Sequence, residues 1–119
     1  MIITGAFLAE SVIGNDGKFY VWGGAVTEWG RPPGASVSIP LVLLLQAEPG
    51  DTTTSLPGEL FTPDGSSHEL RFDVLPAALE GTDVGWLSAG INLGPENPDG
   101  RYIILVGDVS LPVRLITRP

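Results

Sequence analysis

Residues 101–116, RYIILVGDVSLPVRLI, read as two short strands folded about Gly107-Asp108. A two-residue turn of this composition joins antiparallel strands and fixes their register. Val106 then faces Val109, Ile104 faces Leu111 and Tyr102 faces Val113, a coherent apolar set that belongs in a core. The opposite face pairs Leu105 with Ser110, Ile103 with Pro112 and Arg101 with Arg114.

Working outward, the rest of the chain repeats this grammar. Its sixteen glycines and eleven prolines cluster between β-branched and aromatic runs, which marks a chain that turns back repeatedly. Residues 2–13 and 18–26 flank Gly14-Asn15-Asp16-Gly17 as a first hairpin. Strands are expected over 38–47, 56–62, 68–75 and 86–93, with Pro63-Asp64-Gly65-Ser66 a strong turn. Residues 27–37 carry Gly30, Pro32, Pro33 and Gly34 and read as a loop without regular structure. Only 76–85 has room for a helical turn, through Ala77-Ala78-Leu79-Glu80. The expectation is one all-β domain over 1–119, an antiparallel β-sandwich of about eight short strands, immunoglobulin-like or jelly-roll.

Composition narrows the function classes. Hydrophobic residues make up 43% of the 119, enough for one packed core. The net charge of −8 opposes docking to phosphate backbones or anionic lipid, so neither nucleic acid nor a membrane is an expected partner. The longest apolar run, 39–45, falls far short of the roughly 20 residues that cross a bilayer as a helix, and the first residues lack the basic lead of a secretion signal. The default location is cytoplasmic, or part of a virion or other particle. Cysteine is absent, which removes disulfides and zinc–thiolate sites.

Sites of chemistry are sparse. Ser66, Ser67 and His68 supply hydroxyls and an imidazole, but no nucleophile elbow surrounds them, and a histidine leaving a turn is the simpler account. Asn15 with Asp16, and Asn97 with Asp99, sit where calcium often binds at sandwich ends, yet their spacing is ordinary turn chemistry. Gly23-Gly24 follows a strand without the helix start or lysine of a phosphate loop, so a bulge or close backbone approach is expected. Catalysis, a metal and a cofactor are therefore not expected.

Surface patterning says more. Residues 68–75 alternate cleanly, whereas 18–26, 38–47 and 101–106 are apolar on both faces. A sandwich has one interior, so the second apolar face must be covered by a loop, covered by another subunit or left exposed. Arg101, Ile103, Leu105, Pro112 and Arg114 form the expected contact face, with the two arginines better placed beside carboxylates from elsewhere. The alternative is that 27–37, with Trp29 at its start, folds over that face. Tyr20, Trp22 and Trp29 form an alternative platform for a sugar or other flat ligand.

Two segments carry a family resemblance. Gly5-Ala6-Phe7-Leu8-Ala9-Glu10 leading to Asp16-Gly17-Lys18-Phe19-Tyr20-Val21-Trp22-Gly23-Gly24, and Asn92-Leu93-Gly94 leading to Asp99-Gly100-Arg101-Tyr102, resemble the opening hairpin and the late turn of a family of small bacterial β-sandwich proteins with no assigned activity. That resemblance implies the fold and transfers no site residue. The expected function is a non-enzymatic structural module that forms a homo-oligomer or joins a larger assembly such as a phage virion; the alternative is a small-ligand or carbohydrate-binding sandwich.

Overall fold

The computed structural model describes residues 1–15, 18–74 and 84–119. Among them run nine strands: β1 (Ile2–Asn15), β2 (Lys18–Gly24), β3 (Glu28–Arg31), β4 (Val37–Gln46), β5 (Ser55–Phe61), β6 (Ser67–Asp73), β7 (Val84–Leu93), β8 (Gly100–Val106) and β9 (Val109–Thr117). They form a sheet of order β2-β1-β4-β7 and a sheet of order β3-β9-β8-β5-β6. The expected helical turn at 77–80 lies outside the described residues.

The closing hairpin has the register its sequence dictates: Tyr102 opposite Val113, Ile104 opposite Leu111 and Val106 opposite Val109. Tyr102, Ile104, Val106 and Val113 are buried, and Leu8, Ile39, Leu41, Leu43 and Leu45 meet them from the first sheet. Full burial of each such side chain stabilises by about 1.5–3 kcal/mol, so these two inner faces hold the layers together. The chain stays within one sheet at the β5–β6 and β8–β9 hairpins and changes sheet between β4 and β5 and between β7 and β8. Pairing β4 with β7 in one layer and β5 with β8 in the other is the interlocked connectivity of an immunoglobulin-type sandwich rather than a jelly roll. Tyr102, at the start of β8, donates its hydroxyl to Pro98 O at 2.6 Å, the tyrosine corner of such sandwiches.

Two expectations need correction. Residues 27–37 are not wholly irregular, because Glu28–Arg31 forms strand β3. It runs parallel to β9, with Trp29 opposite Leu115 and Arg31 opposite Thr117, so the second sheet is mixed rather than antiparallel. Pro32, Pro33 and Gly34 follow the strand, and Gly30 lies within it opposite Ile116. What holds so short a strand is Arg31. Its side chain is only 5% exposed; Nη1 donates to Gly94 O (2.9 Å) and Ala35 O (3.4 Å), and Nη2 donates to Asn97 O and to Asp99 Oδ1 (3.2 Å). A buried guanidinium demands such partners, and a propensity reading of four residues cannot foresee them.

The second correction concerns β4. Ile39, Leu41, Leu43 and Leu45 point inward, yet outward-facing Val42 is also fully buried. Among the described residues, the β1–β2 hairpin of the same chain reaches over this face. β1 pairs with β4 from Ile2 to Leu8 and then with β2 from Ala9 to Asn15. On the outward face of the first sheet, the Phe19 ring lies 6.5 Å from Phe7 and 4.9 Å from Trp86, tilted at 39° and 53°. Gly14, opposite Phe19, lies so close that a Cβ there would sit 2.9 Å from the Trp86 ring. Gly14→Ala is therefore expected to lower stability by about 1–3 kcal/mol through overpacking and to shift tryptophan emission. Unchanged denaturation and emission would mean that the hairpin does not rest on this face.

Candidate functional site

The two outward faces differ once the hairpin is in place. On the second sheet, cross-strand register aligns Pro112, Ile103 and Phe61 in one row across β9, β8 and β5. Leu105 adjoins it in the next row, opposite Ser110 on one side and Glu59 on the other. Phe61 is 37% exposed, Ile103 and Leu105 are half-buried and Pro112 is exposed. β3 runs beside β9 rather than over this row, and Trp29 packs against the core. The five residues Arg101, Ile103, Leu105, Pro112 and Arg114 thus lie together on one outward face, and Phe61 completes the apolar row. Phe61 escaped sequence reading because only the β5–β8 register places it beside Ile103.

Arg101 and Arg114 stand opposite each other at one end of the face. Glu28 is level with Arg114 on β3, but its carboxylate accepts from Arg118 Nη2 at 2.6 Å. Among the described residues, neither Arg101 nor Arg114 takes part in an ion pair.

The three aromatic residues of the alternative platform do not come together. Tyr20 and Trp22 are 50% and 55% exposed on the outer side of the β1–β2 hairpin, beside Ile13 at 52%. Trp29 sits in the other sheet with its side chain on the core. The platform reduces to Tyr20 and Trp22.

The remaining polar candidates are occupied by turn architecture. Asp64 accepts from the Thr62 hydroxyl and from Ser66 N at 3.0 Å, and Thr62 N donates to Ser66 O at 2.9 Å. His68 is exposed at the start of β6, opposite Leu60. Asn97 Oδ1 accepts from Gly94 N at 2.7 Å, and Asp99 takes Thr117 N (2.7 Å) and Thr117 Oγ1 (2.8 Å) besides Arg31. Asp16 lies outside the described residues. Among the described residues, no group of three or more histidine or acidic side chains gathers as metal ligands would. Gly23 has a φ of 60°, and a Cβ there would overlap the Glu10 carboxylate, so the Gly-Gly pair serves a close approach.

No protein-family model, curated protein or solved structure matches the chain, and none of these comparisons bears on the resemblance carried by the two turn segments.

Among the described residues, three carboxylates are held below their usual range. For Asp51 the causes are the Met1 ammonium at 2.7 Å and then Thr53, for Asp64 the Thr62 hydroxyl, and for Asp99 the Thr117 hydroxyl and amide and then Arg31. A carboxylate whose folded pKa lies below its unfolded one adds stability that is present above the unfolded value, about 3.9, and is lost as pH falls through the folded one. Urea midpoints are therefore expected to fall below about pH 4, with Asp51→Asn, Asp64→Asn and Asp99→Asn each flattening that fall. An acid limb identical in all four proteins would remove these contacts from the account.

Proposed function

We propose that this protein is a non-enzymatic structural module that assembles, with copies of itself or within a larger particle such as a virion, through the outward face of its second sheet. The observation that carries the reading is the Pro112–Ile103–Phe61 row with Leu105 beside it. An apolar row in the middle of a solvated sheet face is the kind of surface a partner covers, and the equivalent face of the first sheet is already covered by the chain's own hairpin. Arginines at the edge of such a row suit a rim, where charge sets orientation more than affinity.

Replacing Ile103 and Leu105 together by Asp is expected to abolish association while leaving the circular dichroism spectrum intact, since both side chains point away from the core. Native mass by light scattering across a dilution series reads the first, and thermal melting reads the second. Unchanged association would sink the assignment of this face. Unfolding would contradict the outward register on which it rests.

A second reading rests on Tyr20 and Trp22, half-exposed on one side of the hairpin. Two aromatic side chains two residues apart on a strand offer a stacking surface for a sugar or other flat ligand. Titration with oligosaccharides is expected to quench tryptophan emission in the wild type and not in Trp22→Ala; equal responses would remove this reading.

A further inference from the structure

The docking face carries two like-charge pairs of opposite sign, and their positions name the partner. Arg101 opposes Arg114 across β8 and β9. Glu59 opposes Glu69 across β5 and β6, and all four side chains are exposed. Like charges directly opposite in a sheet are destabilising, yet this one face holds a basic pair and an acidic pair, none of them in an ion pair among the described residues. Nearby Arg71 directs Nη1 to Ser55 Oγ at 3.2 Å.

The register sets the two pairs symmetrically about the apolar row. The arginines lie one row to one side of Ile103, on β8 and β9. The glutamates lie one row to the other side of Phe61, on β5 and β6. With strands about 4.8 Å apart and about 3.4 Å per residue, each pair is centred about 8 Å from the point midway between Ile103 and Phe61, in opposite directions. A surface that places opposite charges at equal and opposite displacements from an apolar centre is self-complementary. An isologous contact requires this, because each patch must meet its complement on an identical copy.

We propose that this face pairs with the same face of a second copy about a two-fold axis passing between Phe61 and Ile103, so that Arg101 and Arg114 of each chain meet Glu59 and Glu69 of the other. The proposal rests on the assembly reading above and specifies its first partner. The contact relieves both repulsions at once and covers the apolar row. An axis lying in the interface at right angles to the line joining the two charged pairs makes the facing strands cross at about 70°, nearer the orthogonal than the aligned class of sheet packing. The apolar area is small, so the dimer belongs to the concentration-dependent class.

The test uses two complementary charge reversals in the full chain. One variant carries Glu59→Arg with Glu69→Arg, and the other carries Arg101→Glu with Arg114→Glu. Each gives both charged pairs the same sign and makes the two-fold contact self-repelling, while an equimolar mixture restores every opposite-charge contact. In sedimentation across a micromolar dilution series, the wild type is expected to be a dimer that dissociates on dilution. Each variant alone should associate at least about tenfold more weakly, and the mixture should recover a one-to-one dimer. Variants that dimerise like the wild type, or that stay monomeric when mixed, overturn the two-fold arrangement; if Ile103→Asp with Leu105→Asp still dissociates the wild-type assembly, the face itself survives. A wild type that is monomeric throughout overturns self-pairing and leaves the face to a different protein.

Discussion

Arg31 joins parts of the sandwich that hydrogen-bonded pairing alone would leave loose. Its guanidinium lies at 5% exposure and bonds to Gly94 O, Ala35 O, Asn97 O and the Asp99 carboxylate. A four-residue strand is thereby locked to the turn that carries the chain from one sheet to the other. Asp99 passes the constraint on to Thr117 at the end of β9, and Pro98 in the same turn receives the Tyr102 hydroxyl. A charge this enclosed is tolerated only when its donors are engaged, and among the described residues no buried side-chain nitrogen or oxygen lacks a partner. The parallel β3–β9 edge, the turn at 94–99 and the tyrosine corner therefore stand as one unit.

The other organising feature is the unequal treatment of the two outward faces. β4 is apolar on both sides, and the chain resolves this by leading β1 away from β4 after Leu8 into a hairpin that sets Phe19 between Phe7 and Trp86. The second sheet receives no such cover over Phe61, Ile103 and Pro112 from any described element. Its like-charge pairs lie on opposite sides of that row, Arg101 with Arg114 on one side and Glu59 with Glu69 on the other. On a chain of net charge −8, a paired basic site is an uncommon use of six cationic residues. Opposite-sign pairs flanking an apolar row favour one orientation of any docking on that face.

Local rules went a long way here. Alternation and the Gly107-Asp108 turn were sufficient for the register of β8 against β9, and with it the inward set of Tyr102, Ile104 and Val113 and the outward set of Arg101, Ile103 and Arg114. Asp64 and its neighbours behaved as turn residues. The all-β class, most strand positions and the β8–β9 half of that outward face were legible in the chain alone, because side-chain alternation and turn preference act between residues close along the chain. Long-range packing was needed to make β3 a strand, to bring the β1–β2 hairpin onto Phe7 and Trp86, to take Trp29 out of the aromatic platform, and to add Phe61, Glu59 and Glu69 to the face begun by β8 and β9. Those outcomes depend on a buried guanidinium and on pairings between strands distant in sequence, and register of that kind is set by the folded core rather than by any local pattern.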